Sequence, residues 1–267
     1  MGQRLGQHFL RDDRVLEDIV AAAQLKPGQR ILEIGPGPGN LTARLAAAAG
    51  SSGEVVAIEA DRELATALEG KWPNVHVVAG DAVREDLAAL GRFHRIVANL
   101  PYLISGPITI AFLELLAKPA TRWDLAVLMY QREFAERLLA HPSSHDYGRL
   151  TVQAARWCRV TPVRDVAPGA FNPPPRVDSM VVALQPHATP PFAVDDERVW
   201  QAVLDGTFQR RRKQLRNSLP AAVGGIGIPQ DHTLATLDNL GWTTRRPENL
   251  SPREFAELGN ALGRAAR

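Results

Sequence analysis

The chain has 267 residues, 45% of them hydrophobic, a formal net charge of +2 and one cysteine, Cys158. This length is enough to bury a core, while a single cysteine excludes an internal disulfide framework and makes a reducing cytoplasm the expected location. No apolar run approaches the length of a membrane span, and the small net charge neither requires nor excludes nucleic acid as a partner.

Helical and strand patterns alternate through the first half of the chain. The first is a helical stripe of apolar residues at 14–23. Short β-rich runs predict strands at 30–35, 54–59, 75–80, 95–100 and 125–130, and helical patterns separate them at 41–49, 62–70 and 107–117. Strands that alternate with helices predict an α/β fold with a parallel sheet covered on both faces.

The second half ends in helices. A helical pattern at 147–158 and a late strand at 179–186 precede the proline-rich segment QPHATPPF, which is the candidate linker. Helical patterns without strands then occupy residues 195–219 and 251–263. The predicted domains are residues 1–186 and residues 193–267.

A glycine-rich loop, LEIGPGPGN, follows the first long strand and opens a helix. Glycines let the backbone approach a ligand closely, and the helix N-terminus presents free N–H groups. Gly35 and Gly37 would fit the dinucleotide pattern G-x-G-x-x-G, but its third position holds Asn40 and the third glycine is Gly39. With Glu33 in front, the loop favours S-adenosylmethionine over NAD; a plain strand-to-helix turn is the alternative.

Two acidic residues lie at the ends of the next two predicted strands. Glu59 ends one strand, where a carboxylate can accept hydrogen bonds from both ribose hydroxyls. Asp81 follows the other, where a carboxylate can accept from an adenine amino group. Either acid alone would more often be a helix cap. Together, beside a glycine loop, they favour a nucleoside cofactor.

The fourth predicted strand ends at the corner Asn99-Leu100-Pro101-Tyr102. An adenine amino group is a poor nucleophile because its lone pair is delocalised into the ring. The Asn99 amide oxygen and the Leu100 carbonyl can accept its two N–H hydrogens, Pro101 stiffens the turn, and Tyr102 can stack on the base. This corner is the candidate catalytic site for methyl transfer.

A second aromatic residue, Phe171, lies in GAFNPPPRVDS, where three prolines follow it. A ring held on such a rigid loop can cover the other face of the base. The equal alternative is a hydrophobic plug.

These motifs together resemble the small-subunit ribosomal RNA adenine dimethyltransferases, a family related to the erythromycin-resistance methyltransferases and the mitochondrial transcription factor B proteins. The matching segments run in order through nearly the whole chain: GQHFLRD, LEIGPGPGNLT, VVAIEAD, GDA, VANLPYLIS, YQREFAERLLA, DYGRLTVQ, FNPPPRVDSMVV, FQRRRKQLRNSL and RPENLSPREF. The last two look more like the bacterial branch of the family.

The resemblance implies dimethylation at N6 of two adjacent adenosines near the 3′ end of small-subunit RNA, within an assembling subunit. It implies a Rossmann-like methyltransferase sheet with a last antiparallel strand, followed by a small helical domain, in a chain that we expect to act as a monomer. The implied cofactor contacts are His8, Leu10, Gly35, Glu59, Asp81 and Asn99, with Gln7 and Ala82 nearby. The implied base-handling residues are Asn99, Leu100, Tyr102 and Phe171.

Three positions depart from the family pattern. His8 stands where many members have asparagine, and Leu103 and Gly106 replace residues that are commonly polar or aromatic, and Ser or Thr, respectively. These departures affect how the base reaches the site rather than the reaction itself.

A basic run lies in TFQRRRKQLRNSL, which contains no acidic residue. Leu215 and Leu219, with Phe208, can form a buried helical stripe. A solvated helix face is the ordinary explanation for such a run, but the resemblance favours phosphate contact. The candidate RNA-binding residues are Arg210, Arg211, Arg212, Lys213 and Arg216.

Two other function classes stay open. One is an enzyme that modifies large-subunit RNA, or a glutamine amide, through a similar corner. The other is a ribosome-assembly or transcription factor that has kept the fold without catalysis. No metal is expected, because the histidine pair of HPSSH is interrupted by proline and serine, and no Cys/His set indicates zinc.

Overall fold

The structure, a computed structural model, describes residues 8–265, without the side chain of Ala265. Gln7, a predicted neighbour of the cofactor, lies outside the described residues. Two compact units divide the chain. The first comprises the residues up to 135 together with 158–186, and the second comprises 136–157 and the residues from 187 onward.

The first unit contains all the described strands. They are β1 (Phe9–Leu10), β2 (Arg30–Ile34), β3 (Glu54–Glu59), β4 (Val75–Ala79), β5 (Arg95–Asn99), β6 (Leu125–Gln131), β7 (Cys158–Val166), β8 (Phe171–Asn172) and β9 (Ser179–Pro186). Its helices before residue 131 are α1 (Asp13–Ala22), α2 (Asn40–Ala49), α3 (Arg62–Leu68) and α4 (Ser105–Leu115). The helices that follow in the chain are α5 (Arg132–Leu139), α6 (Arg149–Trp157), α7 (Glu197–Phe208), α8 (Leu215–Gly224), α9 (Gln230–Leu240) and α10 (Pro252–Ala265).

Among the described residues, seven strands form one sheet in the order β4-β3-β2-β5-β6-β9-β7. The strands from β4 to β6 in that order are parallel, and β9 is antiparallel to both β6 and β7. Central strands such as β6 are apolar and buried along nearly their whole length, as expected when helices cover both faces of a sheet. The predicted α/β sheet and its last antiparallel strand are confirmed.

The sheet reverses its strand order beside β2. The chain passes from β2 to β3 and β4 on one side, then returns to place β5 and β6 on the other side. In open parallel sheets a crevice forms at such a reversal, beyond the carboxyl ends of the strands. The glycine loop follows β2 and the Asn99-Leu100-Pro101-Tyr102 corner follows β5, so both open onto this crevice.

Strand β7 was not expected from the sequence. Cys158, predicted as a buried helix residue, is buried but is the first residue of this strand. Pro162 within it has no backbone N–H, and the register with β9 shifts between Pro162 and Arg164. Proline is tolerated here because β7 is the edge strand of the sheet. The strand is defined by its hydrogen bonds with β9 and not by an apolar sequence pattern.

A two-stranded ribbon forms separately from the main sheet. Strand β1 pairs antiparallel with β8, with Leu10 opposite Phe171. Strands of two residues have no periodicity to detect in a sequence, so only the fold reveals that the amino-terminal segment and the FNPPP segment are partners.

The second unit has its own apolar core, built around Trp200, Leu215, Leu219 and Phe255. The helical pattern at 195–219 predicted one continuous helix, and that prediction is wrong. Helix α7 ends at Phe208 and α8 begins at Leu215, with tight turns between them. The break lets both helices pack on one core. The Leu215 N–H donates to the carbonyl of Arg245, a residue that is distant in the sequence.

The division into units differs from the predicted boundary at one segment. Residues 136–157 group with the carboxyl-terminal helices rather than with the sheet. Tyr147 shows why, since its buried hydroxyl donates to the Leu250 carbonyl at 2.7 Å. The boundary near residues 186–187 coincides with the predicted linker. No helix in the described part of the chain is long and apolar enough to cross a membrane.

Candidate active site

The crevice at the strand reversal contains a pocket. It is lined by His8, Phe9, Gly35, Gly37, Glu59, Asn99, Leu100, Pro101 and Tyr102. Most of the predicted cofactor and base residues therefore converge on one pocket. Leu10, Asp81, Ala82 and Phe171 do not line it in this structure.

The glycine loop passes close to its neighbours in a conformation that other residues adopt poorly. Gly37 has φ +57°, and an added Cβ would lie 2.8 Å from the ring of Phe9. Gly35 has φ +65°, and its added Cβ would lie 3.2 Å from the ring of Pro101. The loop thus needs glycine both for its backbone angles and for space.

Glu59 is hydrogen-bonded to the glycine loop. One of its carboxylate oxygens accepts from the Gly37 N–H and the other from the Asp61 N–H, both at 3.0 Å. These bonds fix the carboxylate plane and leave further lone pairs for a ligand. A carboxylate held at a strand end beside the loop fits the ribose of the predicted cofactor.

Glu33, behind the loop, is 1% exposed, and its Oε2 atom has no hydrogen-bond partner among the described residues. Burial raises the pKa of Glu33 to about 8; the nearby charge of Glu59 adds to the rise and the Thr42 hydroxyl opposes it. Glu33 is therefore protonated near neutral pH, and the negative charge in the pocket comes from Glu59. This charge suits a cationic sulfonium cofactor.

Asp81 follows β4 and caps its own turn. Its side chain accepts from the Val83 N–H at 3.0 Å and lies 3.4 Å from the Arg84 guanidinium. The adjacent Ala82 is buried. Both are near the strand ends that form the crevice, and their contacts with a cofactor remain predictions.

Asn99 has a defined orientation at the end of β5. Its amide nitrogen donates to the His8 carbonyl at 3.3 Å, which leaves the amide oxygen as the free acceptor. The Leu100 N–H donates to the Met129 carbonyl at 3.2 Å. The Leu100 carbonyl accepts no hydrogen bond from the described residues. The Asn99 amide oxygen and the Leu100 carbonyl, on neighbouring residues, are therefore two acceptors with no donor in the described part of the chain.

Tyr102 follows in a single turn of 3₁₀ helix, Tyr102–Ile104. Its hydroxyl lies 2.8 Å from the Ser179 Oγ atom, and its ring centre is 5.8 Å from that of His8. Burial raises the pKa of Tyr102, partly offset by the bond with Ser179. The phenol is neutral and its ring borders the pocket. Ser179 was not predicted as a site residue, because nothing in a strand-forming run distinguishes it.

The amino-terminal ribbon frames the pocket. The His8 ring Nδ1 lies 2.8 Å from the Pro173 carbonyl, and the Leu10 carbonyl accepts from the Asn40 side chain at 2.8 Å. Phe171 is 1% exposed and belongs to the apolar core. Phe171 does not line the pocket, so its role in covering the base stays a prediction.

The two departures after the corner have different surroundings. Leu103 is 79% exposed, the most exposed large apolar side chain among the described residues. Gly106 lies in the first turn of α4, and an added Cβ would make an ordinary contact at 3.9 Å with Phe134. The site therefore has room for a larger residue at position 106.

The basic run lies in the turns between α7 and α8 and at the start of α8. Arg210, Arg212, Lys213 and Arg216 are exposed. Arg211 is half-buried and donates to the carbonyls of His145 (2.6 Å) and Tyr147 (3.4 Å). Arg211 thus contributes to packing within the second unit, and the other four are free to meet phosphate.

Comparisons with known proteins identify the family of the chain. The family model for ribosomal RNA adenine dimethylase matches residues 2–239. A ribosomal RNA small subunit methyltransferase A from Thermosynechococcus vestitus is 42% identical, covering 97% of this chain and 96% of that protein. A probable ribosomal RNA small subunit methyltransferase A from Methanosarcina acetivorans is 39% identical, covering 98% and 93%. Because bacterial and archaeal relatives are similarly close, the bacterial branch stays a prediction.

Solved structures show the same fold. A dimethyladenosine transferase from Plasmodium falciparum aligns with a TM-score of 0.79 and 30% identity, covering 96% of this chain and 98% of that one. The 23S rRNA methyltransferase ErmE aligns with a TM-score of 0.66 and 27% identity, covering 96% and 99%.

Proposed function

This chain belongs to the ribosomal RNA adenine dimethylase family, and from that premise we propose that it dimethylates N6 of two adjacent adenosines near the 3′ end of small-subunit ribosomal RNA. It is an S-adenosylmethionine-dependent methyltransferase. The observation that carries the proposal is the corner after β5, where the Asn99 amide oxygen and the Leu100 carbonyl lie beside the glycine loop and accept no hydrogen bond from residues 8–265.

The corner activates the amino group without a strong base. When both N–H hydrogens are accepted by Asn99 and Leu100, the nitrogen moves toward tetrahedral geometry and its lone pair leaves conjugation with the ring. Bound S-adenosylmethionine supplies an electrophilic methyl group on sulfur. Methyl transfer would place a positive charge on the amino nitrogen, which would then release one proton to solvent. The two preorganised acceptors stabilise this developing charge.

The cofactor side of the pocket is built from the glycine loop and Glu59. Gly35 and Gly37 allow close approach of the backbone, and Glu59 offers its remaining lone pairs to the ribose hydroxyls. Asp81 and Ala82 receive the adenine, and Leu10 with His8 borders the methionine end. These contacts follow the family pattern; Glu59 ends β3, Asp81 follows β4, and His8 lines the pocket.

The second methylation has a different requirement. After one methyl transfer, N6 keeps only one N–H, so Asn99 and Leu100 can no longer both be satisfied by the substrate. Tyr102 must then hold the base by its ring face, because hydrogen bonding has become weaker. Holding by stacking suits an enzyme that performs both transfers at one corner.

The RNA is held by charge outside the pocket. The exposed residues Arg210, Arg212, Lys213 and Arg216 are suited to phosphate oxygens. We place the reaction in the cytoplasm, on an assembling small subunit, with one copy of the chain acting as a monomer.

Labelled cofactor and undermethylated small subunits test the proposal. The expected result is label on N6 of two adjacent adenosines near the 3′ end of the small-subunit RNA, absent with Asn99→Ala. The similarity to ErmE makes large-subunit RNA the second candidate, so undermethylated large subunits belong in the same assay. Label confined to the large subunit would contradict the proposal, and no label on either would favour the non-catalytic assembly factor.

A further inference from the structure

One hydroxyl pair joins the catalytic corner to the main sheet. The Tyr102 hydroxyl and the Ser179 Oγ atom are 2.8 Å apart, a normal distance for an O–H···O hydrogen bond. Tyr102 borders the pocket, whereas Ser179 does not line it. Since the Tyr102 hydroxyl is already engaged within the protein, its ring face is the part that remains for a substrate.

The two ends of this bond differ in how firmly they are held. Ser179 is 0% exposed and begins β9, where it pairs with Gln131 of β6 and Val166 of β7. Tyr102 belongs to a single 3₁₀ turn, next to the exposed Leu103. The bond to Ser179 therefore ties the Tyr102 hydroxyl, carried on a short turn, to a buried residue of the main sheet.

We propose that Ser179 is a positioning residue, which holds the ring of Tyr102 at the angle needed to stack on the target adenine. The inference rests on the proposed function, because the target base is the ligand of the ring. It extends that function by assigning the Tyr102 hydroxyl to the protein and the Tyr102 ring to the substrate. Orientation matters most in the second transfer, when N6 keeps one N–H.

The bond is tested by removing each hydroxyl separately and then together, in Ser179→Ala, Tyr102→Phe and the double variant. Tyr102→Phe keeps the ring and loses only its anchor, so both single variants should lower kcat/KM by a similar factor of about 2–10. The double variant should be no worse than either single variant, because the same bond is lost. Cofactor affinity should stay at the wild-type value in all three.

A spectroscopic measurement separates ring position from overall stability. A target RNA with 2-aminopurine at one of the two adenosine positions should be quenched when its base stacks on Tyr102. Both single variants should show less quenching than the wild type. Tyr102→Phe leaves the buried Ser179 in place, so it tests the same bond even if Ser179→Ala does not fold.

The matched control is a second hydroxyl pair in the same unit. The Thr109 Oγ1 atom lies 2.7 Å from the Tyr130 hydroxyl, both are buried, and neither lines the pocket. Thr109→Val should lower the melting temperature and leave kcat/KM and the 2-aminopurine signal unchanged. An equal loss of activity in Thr109→Val would overturn the proposal, since any buried hydroxyl pair would then suffice.

Two further results would overturn the role of Ser179. One is additive losses in the double variant, and the other is wild-type kcat/KM and quenching in Tyr102→Phe. Both leave the proposed function intact if the wild type methylates the two adenosines. If the wild-type protein did not methylate the two adenosines of undermethylated small subunits, both the proposed function and this inference would be overturned.

Discussion

Glu33 makes the stability of the protein depend on pH in a direction opposite to that of an ordinary carboxylate. Its carboxyl lies behind the glycine loop, 1% exposed, with its Oε2 atom lacking a hydrogen-bond partner among the described residues. Burial raises its pKa from the ordinary value of 4.5 to about 8. Between these two values the folded protein binds one more proton than the unfolded chain, so stability is lost as the pH rises.

The size of the effect follows from the two pKa values. Between them the free energy of unfolding falls by about 1.4 kcal/mol for each unit of pH. With a folded pKa of about 8, raising the pH from about 6 to about 8 should cost about 2 kcal/mol, because the group is half ionised at the upper limit. The full stabilisation is present only below the unfolded pKa.

Glu33→Gln tests this reasoning, since glutamine has nearly the same shape and cannot ionise. Urea unfolding of the cofactor-free protein at about pH 6 and about pH 8 should show a smaller loss of stability in the variant, by about 2 kcal/mol. Other titrating groups cancel in the difference between the two proteins. Glu114 is exposed on α4, so Glu114→Gln is the control that removes one acidic side chain without removing a buried one. Parallel pH dependences in wild type and Glu33→Gln would refute the argument.

Four further variants, three single and one double, test the site and the RNA surface. Asn99→Ala should lower kcat by on the order of 100-fold or more with a much smaller change in cofactor affinity by calorimetry, because one preorganised acceptor is lost; unchanged turnover would refute its role. Glu59→Ala should weaken cofactor binding by about 10- to 100-fold, and an unaltered calorimetric affinity would remove the ribose contact. Gly37→Ala should destabilise the loop by about 1–2 kcal/mol at φ +57°, seen as a lower melting temperature; a wild-type value would show that Phe9 moves aside freely. Arg210→Ala with Arg212→Ala should reduce RNA affinity and flatten its salt dependence by about 0.7–0.9 per lost phosphate contact; an identical slope would make them ordinary surface residues.

The central sheet was predictable because its signals are local. Each predicted strand from 30–35 to 125–130 appears within one or two residues of its observed ends. A buried parallel strand needs a continuous apolar run, and the run is visible whatever the rest of the chain does. The edge strand β7 and the β1–β8 ribbon were missed, because their hydrogen bonds come from partners distant in sequence.

The candidate site was partly predictable. The glycine loop, Glu59 and the corner at Asn99 were expected at strand ends, and the sheet brings them to one pocket. The sequence pattern did not distinguish Ser179, and it favoured equally a Phe171 that covers the base and one that acts as a hydrophobic plug. Both residues are buried, and burial depends on packing between segments that are distant in the chain.

What the amino-acid sequence determined by itself is the order of the strands and helices, the positions that require glycine, and the polar side chains available where strands end. Those properties depend on neighbouring residues, through side-chain periodicity and allowed backbone angles. Only the tertiary structure decided that the Asn99 amide nitrogen is held by the His8 carbonyl, leaving its oxygen free, and that Glu33 is protonated near neutral pH. Hydrogen-bond direction and desolvation arise from groups that are distant in the chain and meet only after folding.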